Sequence, residues 1–231
     1  MFSYYGAKSK LAGKYSAPAY KTIIEPFAGA AKYALHHCKI DPTIKVVLVE
    51  KYAVVADVWR WLLQATEDDI RRLPILAYKE AIPDVLPPAA RAFLAFMSNQ
   101  GSERPRNVAG SKGGFKVKSW DTTIRNLPFI KGWEIIEGDY TNAPDIEATW
   151  YIDPPYIGQS RYPAGRGLDY SALADWCKSR KGQVVVCEND TATWLPFEKL
   201  CTAPGQRSTS KLRNEGVWMN DLNRYAIKES A

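Results

Sequence analysis

The chain has 231 residues, of which 46% are hydrophobic, so it can bury a core, and extensive disorder is excluded. It contains no apolar run of about eighteen residues or more and no signal-peptide pattern at its start, which predicts a soluble protein with no membrane partner. The net charge of +6 suits a polyanionic partner, because lysine and arginine neutralise phosphates and release their counterions.

The first elements along the chain form a predicted βαβ unit. Residues 22–25 are a short apolar strand that ends before Pro26, and the small-residue turn at residues 27–31 leads into a helix. Residues 45–50 are the next strand, an apolar run with an acid, Glu50, at its end. This order of elements predicts a right-handed unit of a parallel sheet.

The middle of the chain has a helical pattern followed by a basic segment. Apolar residues recur at three- and four-residue spacings over residues 54–65, and Thr66 with Asp69 is typical of a helix start. Two prolines then precede a predicted helix at residues 89–97. Residues 99–118 are rich in glycine, serine and basic side chains, which predicts a loop that faces a polyanion. The basic residues of this loop are Arg104, Arg106, Lys112, Lys116 and Lys118.

Strand patterns resume after this loop. Buried strands are predicted at residues 133–136, 149–153 and 183–188. Near the end of the chain, residues 216–220 and 224–227 are short apolar segments that predict an antiparallel pair closing the sheet.

The predicted fold class is α/β, with a Rossmann-like core, a mostly parallel sheet and a small helical and loop insert. The first part of the core is predicted at residues 1–56, the insert at residues 57–128 and the second part of the core at residues 129–231.

The four cysteines are widely separated, and no pair has the two-residue spacing of a zinc or thioredoxin-type site. We therefore predict structural thiols and no metal site. These residues are Cys38, Cys177, Cys187 and Cys201.

The sharpest motif is the tetrapeptide Asp153-Pro154-Pro155-Tyr156, which follows an apolar strand. An exocyclic amine is a poor nucleophile because its lone pair is delocalised into the ring, so catalysis needs acceptors that hold its N–H bonds. The Asp153 carboxylate and the Pro154 carbonyl are such acceptors, and the paired prolines stiffen the turn. Tyr156 offers a ring that can stack on an extruded base. The alternative interpretation is a proline-rich turn capped by an aspartate.

Two other segments suit a nucleoside ligand. The turn at residues 25–31 consists mainly of small residues, which let a ligand approach the backbone closely. Glu50, at the end of the next strand, is placed to accept hydrogen bonds from ribose hydroxyls. Residues 5–10 add an aromatic, glycine and lysine motif. The alternative interpretation of the turn and Glu50 is a generic α/β turn with a solvated glutamate. The alternative interpretation of residues 5–10 is a basic tail.

Together these motifs resemble those of the Dam-type family of DNA adenine-N6 methyltransferases, which carry them in the same order over nearly the whole chain. The resemblance implies S-adenosyl-L-methionine as cofactor, double-stranded DNA as partner, and base flipping with methyl transfer to the N6 amine of adenine. We further predict a monomer or weak dimer in the cytoplasm of a bacterium, and the compact chain fits an origin in a phage or mobile element.

The resemblance assigns a role to each motif. The catalytic tetrapeptide is Asp153, Pro154, Pro155 and Tyr156. Residues 5–8 border the cofactor pocket, residues 25–29 hold the methionine part of the cofactor, Glu50 binds its ribose and Asp139 its adenine. The implied cofactor-binding residues are Tyr5, Gly6, Lys8, Glu25, Pro26, Phe27, Ala28, Gly29, Glu50, Asp139, Tyr140 and Asp153. The implied contacts to DNA are Arg104, Arg106, Lys112, Lys116, Lys118 and Arg161.

The chain departs from the family pattern in two ways. Ala31 stands where many members have a second glycine, and alanine does not adopt a positive φ easily. The segment between Glu50 and Asp139 is short, which predicts a short or relaxed recognition sequence. These departures motivate one alternative, a catalytically inactive DNA-binding protein. The other alternative is methylation of the N4 amine of cytosine, although enzymes of that class more often have serine at the position of Asp153.

Overall fold

A computed structural model describes residues 1–8, 11–110, 117–158, 162–163, 165, 167–204 and 212–220. Within these residues the chain has an α/β fold with one seven-stranded sheet. The strands are β1 Thr22–Glu25, β2 Lys45–Glu50, β3 Glu134–Glu137, β4 Ala148–Ile152, β5 Gly182–Asn189, β6 Glu198–Pro204 and β7 Leu212–Met219. The α-helices are α1 Lys32–Ile40, α2 Ala53–Gln64, α3 Glu67–Arg71, α4 Pro88–Ser98, α5 Val117–Ile130 and α6 Tyr170–Lys178. Short 3-10 helices span Ala12–Lys14 and Tyr140–Asn142.

The sheet is mostly parallel, with the strand order β3-β2-β1-β4-β5-β7-β6. β1 pairs in parallel with β2 and β4, and the parallel pairing continues to β3 on one side and β5 on the other. β7 is antiparallel to both β5 and β6. The first five strands follow the order of doubly wound Rossmann-like sheets, in which the winding direction reverses between β1 and β4. Ligands in such sheets bind outside the carboxyl ends of the strands at this reversal point.

Helices cover both faces of the sheet. Successive strand side chains point to opposite faces, and Ile23 packs in one apolar cluster while Ile24 packs in the other. The cluster with Ile23 includes buried side chains of α1, α2, α4 and α5, such as Trp59 and Phe93. The cluster with Ile24 includes α6. Because both faces are covered, the central strands are continuous apolar runs, and every residue of β4 is buried.

Local sequence signals agree with most of these elements. The predicted bounds of β1 and β2 are confirmed, and those of β3, β4, β5, α2 and α4 are confirmed to within one residue at each end. Thr66 and Asp69 form a capping box at the start of α3, in which each side chain accepts a hydrogen bond from the other residue's backbone N–H. Pro88 occupies the first turn of α4, where its missing N–H is not needed.

Three elements differ from the sequence predictions. The predicted loop at residues 99–118 is too long, because α5 begins at Val117, which places Lys118 in its first turn. β6 was not predicted. β7 confirms a strand near residues 216–220, but its antiparallel partners are β5 and β6, whereas the predicted partner at residues 224–227 lies outside the described residues.

The predicted domain boundaries fall inside helices. α2 runs across the boundary between residues 56 and 57, and α5 runs across the boundary between residues 128 and 129. The division into core and insert remains a prediction. Among the described helices, none is long and apolar enough to cross a membrane.

Candidate active site

A cleft lies at the carboxyl ends of β1, β2 and β4, at the point where the winding of the sheet reverses. Its empty volume is about 910 Å³, a figure that includes space open to solvent. All the residues predicted to bind the cofactor line this cleft, namely Tyr5, Gly6, Lys8, Glu25, Pro26, Phe27, Ala28, Gly29, Glu50, Asp139, Tyr140 and Asp153. The fold therefore brings three motifs that are far apart in the sequence into one cleft.

The predicted catalytic tetrapeptide lies at one side of the cleft. Asp153 and Pro155 contribute to the lining, whereas Pro154 and Tyr156 do not. Pro154 is buried. The Tyr156 ring packs against the main apolar cluster, and its hydroxyl joins a buried polar network described below.

The turn between β1 and α1 is fixed by hydrogen bonds from neighbouring elements. The Gly29 N–H donates to Glu50 Oε2 at 2.9 Å, and the Trp59 indole N–H donates to the Gly29 carbonyl at 2.8 Å. Gly29 has φ +46°, a left-handed conformation that glycine adopts without strain. Ala31, the N-cap of α1, adopts φ +43° as well, a left-handed conformation that alanine adopts less easily than glycine.

Two buried glutamates flank this turn. Glu25 Oε1 accepts a hydrogen bond from the Ala34 N–H at 2.7 Å, and Glu50 Oε1 accepts one from the Tyr52 N–H at 2.8 Å. Burial raises the pKa of Glu25 to about 8 and that of Glu50 to about 7, although the backbone donors oppose both shifts. Because burial disfavours the charged form, a cationic ligand beside these carboxyls would favour their ionisation.

Asp139 and Tyr140 enter the cleft from the segment that follows β3. The Gly138 N–H donates to the Glu50 carbonyl at 3.0 Å and so attaches this segment to the end of β2. Lys51 Nζ contacts Asp139 Oδ2 at 2.8 Å. The ring of Tyr140 stacks on Phe27, with centroids 5.5 Å apart and planes inclined by 24°.

Asp153 belongs to a buried network centred on Lys8. Lys8 Nζ lies 3.4 Å from Asp153 Oδ1, 3.1 Å from Glu215 Oε1 and 2.5 Å from the Tyr156 hydroxyl oxygen. Burial alone would lower the pKa of Lys8, but the Asp153 and Glu215 carboxylates raise it above its ordinary value. Lys8 is therefore an ammonium ion at neutral pH.

The same network sets the charge of Asp153. Burial raises the pKa of this carboxyl to about 6, the Lys8 ammonium opposes the rise, and the negative charges of Glu215 and Glu188 add to it. At neutral pH Asp153 is therefore mainly ionised and can accept hydrogen bonds from a ligand in the cleft.

The loop after Asp153 is held by side chains from β5 and α6. The Tyr170 hydroxyl donates to the Pro155 carbonyl at 2.6 Å. Glu188 Oε2 accepts hydrogen bonds from the Ile157 N–H at 3.1 Å and from the Trp194 indole at 3.2 Å. These contacts fix the tetrapeptide on both sides.

The glycine of the N-terminal motif is required by a close contact. Gly6 has φ +82°, and a Cβ atom there would lie 2.1 Å from the hydroxyl oxygen of Tyr162. Any side chain would displace Tyr162, which also lines the cleft.

Sequence reasoning missed several residues of the site. Glu215 and Lys51 contact predicted site residues, and Tyr15 donates a hydrogen bond to Glu215, but none of the three belongs to a motif. The contacts of Glu215 depend on the pairing of β7 with β5, and those of Tyr15 on a buried position just after the Ala12–Lys14 helix. Lys51 could have been predicted as a site residue, because it follows Glu50 at the end of β2.

The predicted DNA-binding residues are only partly described. Arg104, Arg106 and Lys118 are exposed. Tyr52 lines the cleft, and burial raises its pKa. Arg104 is close enough to Tyr52 for its positive charge to oppose that rise. Three further predicted residues, Lys112, Lys116 and Arg161, lie outside the described residues.

Within the described ranges, no group of three or more histidine, cysteine, aspartate or glutamate side chains is placed to hold a metal ion. No protein-family model matches the chain, and no curated protein sequence matches it. The function must therefore be argued from the cleft itself.

Proposed function

We propose that this protein transfers a methyl group from S-adenosyl-L-methionine to the N6 amine of adenine in DNA. One observation carries the proposal: the cleft at the reversal point of the sheet gathers the small-residue turn, the acid at the end of β2, the acid after β3, the Lys8 motif, and Asp153 and Pro155 of the tetrapeptide. A nucleoside-binding half and an amine-binding half thus adjoin in one cleft.

The residues of the cleft fit the cofactor chemically. Each carboxylate oxygen has two lone pairs, so the oxygens of Glu50 that accept backbone N–H bonds can also accept ribose hydroxyls. Phe27 and Tyr140 present flat apolar rings beside Asp139, which suits a purine whose amine donates to that carboxylate. Lys51 must then share Asp139 with the purine.

When bound, S-adenosyl-L-methionine supplies an electrophilic methyl group on a positively charged sulfur. Glu25 and Glu50 are suited to that charge, because a nearby cation favours their ionised forms. The positive φ of Gly29 and the small side chains after it keep the turn close to the ligand.

Asp153 is the residue that acts on the target amine. Lys8 contacts Asp153 Oδ1, and we assign Oδ2 to an N–H of the amine, with the Pro154 carbonyl as the second acceptor. Holding both N–H bonds favours a more tetrahedral nitrogen, whose lone pair would attack the methyl group. The new N–C bond would form as the S–C bond of the sulfonium breaks to leave a neutral thioether, and the proton that the amine loses would pass to the Asp153 carboxylate or to water. The reaction gains from orientation, because the amine and the methyl donor are held in one cleft.

The adenine must leave the DNA duplex to reach Asp153. Extrusion costs a few kcal/mol, which contacts in the pocket offset. Tyr156, which the sequence assigned to stacking on the extruded base, does not line the cleft, and Lys8 and Glu215 fix its hydroxyl, so we assign it to holding the network around Asp153. The exposed Arg104 and Arg106 are assigned to phosphate contacts.

Incubating the protein with mixed-sequence duplex DNA and isotopically labelled S-adenosyl-L-methionine, followed by mass spectrometry of the nucleosides, tests the proposal. Labelled N6-methyladenine is the expected product. Labelled N4-methylcytosine would show that the target base is cytosine and not adenine. No methylated nucleoside together with intact DNA binding would reject the proposal in favour of an inactive DNA-binding protein.

Two variants assign the chemistry to the cleft. Asp153→Asn should abolish methyl transfer while keeping the fold, because the amide no longer carries the acceptor charge. Asp175→Asn, an exposed substitution on α6 far from the cleft lining, is the matched control and should methylate at the wild-type rate. Wild-type activity in Asp153→Asn would remove this residue from the mechanism.

A further inference from the structure

One carboxylate oxygen in the buried network gathers three donors from three parts of the chain. Glu215 Oε1 lies 2.7 Å from the Tyr15 hydroxyl oxygen and 3.1 Å from Lys8 Nζ, and it also accepts a hydrogen bond from the Tyr156 hydroxyl. Glu215 is only 7% exposed. A buried carboxylate is costly unless it is paired and hydrogen-bonded, and these three contacts satisfy that requirement.

The pairing of β7 brings Glu215 to the cleft. In the antiparallel ladder Glu215 lies opposite Asn189, the last residue of β5. Asp153 follows the adjacent strand β4, so both carboxylates stand at the same edge of the sheet. Lys8 lies between them.

We propose that Glu215 is a positioning residue for the methyl-transfer reaction, which holds Lys8 and Tyr156 so that the Asp153 carboxylate remains available to the target amine. This inference rests on the proposed function. Glu215 contacts neither the amine nor the methyl group and acts only through its neighbours.

The geometry of Lys8 explains why a second carboxylate is needed. An ammonium group has three donors, and Lys8 directs them to Asp153, Glu215 and Tyr156. The contact to Asp153, at 3.4 Å, is the longest of the three. Without Glu215, the ammonium would pair with Asp153 alone and compete with the amine for the same carboxylate. Tyr156 would also lose its acceptor, and its ring would lose a fixed orientation.

The ionisation of Asp153 reports this arrangement. The charged and titratable groups around it in the described part of the chain include Lys8, Tyr15, Glu25, Tyr151, Tyr156, Tyr162, Cys187, Glu188 and Glu215. Removing the negative charge of Glu215 should lower the pKa of Asp153, because one repulsion disappears and Lys8 is no longer shared. A residue that only supported the fold and carried no charge near Asp153 would leave this pKa unchanged.

The kinetic test compares Glu215→Ala with Glu215→Gln. The glutamine keeps an acceptor oxygen for Lys8, Tyr15 and Tyr156, so it should retain kcat within about tenfold of the wild type, whereas the alanine should lose about a hundredfold. KM for DNA should stay within about twofold in both variants, because neither change touches the binding surface. Glu134→Gln, an exposed substitution on β3, is the matched control and should match the wild type. Equal kcat losses in the two Glu215 variants, or no loss in either, would overturn the inference.

A second measurement does not depend on activity. Carbon NMR of protein with labelled aspartate carboxyls follows the titration of Asp153, whose signal is identified by its absence in Asp153→Asn. The carboxyl should titrate near pH 6 in the wild type and at a lower pH in Glu215→Gln. An unchanged titration would overturn the inference even if the enzyme were active.

These two measurements separate the inference from the proposed function. A wild-type protein that methylates no nucleoside rejects the proposed function and, with it, the positioning role, whatever the titration shows. A wild-type protein that methylates adenine while Glu215→Gln leaves the titration of Asp153 unchanged rejects the positioning role alone. If Glu215→Ala does not fold, Glu215→Gln still decides between these results.

Discussion

Replacing Ala31 with glycine removes a methyl group from a residue held in a left-handed conformation, with φ +43° and ψ +52°. For an alanine this conformation costs roughly 1–2 kcal/mol, which glycine does not incur. Two effects oppose that gain. The side chain is buried, so loss of its methyl group costs about 0.8 kcal/mol, and the greater freedom of glycine in the unfolded chain costs roughly 0.4–1 kcal/mol. We therefore expect Ala31→Gly to change the free energy of unfolding by less than about 1 kcal/mol.

Ala34→Gly is the matched comparison, because Ala34 is also buried but lies inside α1 with helical backbone angles. Glycine there loses the same methyl group and adds a helix penalty of about 1 kcal/mol, so the protein should lose about 2 kcal/mol. Urea unfolding followed by circular dichroism measures both variants. If Ala31→Gly loses as much stability as Ala34→Gly, residue 31 is not strained, and the cost assigned to its left-handed conformation is refuted.

Three further predictions concern the cleft and the basic loop. Burial raises the pKa of Asp153 to about 6, so the single-turnover rate of methyl transfer should fall about tenfold from pH 7 to pH 5, and a flat profile would exclude this carboxylate as the acceptor. The pKa values of Glu25 and Glu50 lie at about 8 and 7, so binding of the cationic cofactor at neutral pH should release protons, which calorimetry in buffers of different ionisation enthalpy detects. Substituting Arg104 and Arg106 together with alanine should reduce the slope of log K against log salt for DNA binding by about 2, and an unchanged slope would place the loop away from DNA.

The parallel part of the sheet is predictable from sequence because both its faces are covered. A strand buried on both sides is a continuous apolar run, and residues 45–50 show this pattern up to the acid at the strand end. The acid marks the point where the strand leaves the core and enters the cleft. The capping box at Thr66 is predictable for a different reason, since all its hydrogen bonds are local.

Two elements escaped prediction for opposite reasons. α5 had a signal, because Trp120, Ile124 and Leu127 recur at three- and four-residue spacings, but its first residues share the composition of the basic segment before it. β6 had almost none. Its residues gain their strand conformation from pairing with β7, and that pairing is a tertiary property.

The site shows the same division between local and distant information. Turn chemistry and strand ends indicate Glu25, Glu50 and Asp153, because each lies at a position where a parallel strand stops. Glu215 lies inside an antiparallel strand, and only the position of β7 beside β5 brings it to Lys8. A sequence motif identifies side chains whose position depends on the residues next to them in the chain. The position of Glu215 depends instead on the pairing of its strand with a neighbouring strand.

The buried carboxyls of Glu25 and Glu50 lower the stability of the folded protein at neutral pH. Because the folded pKa values of Glu25 and Glu50 exceed the ordinary glutamate value of 4.5, the folded state binds these protons more tightly than the unfolded chain. Each carboxyl therefore lowers stability as the pH rises from about 4.5 to its folded pKa, about 8 for Glu25 and about 7 for Glu50. A glutamine of the same shape would avoid that cost. Lys8 offsets the charges of Asp153 and Glu215 but lies in the other half of the cleft. These two acids therefore suit a ligand that brings a positive charge, and this is the half of the cleft that we assign to the sulfonium cofactor.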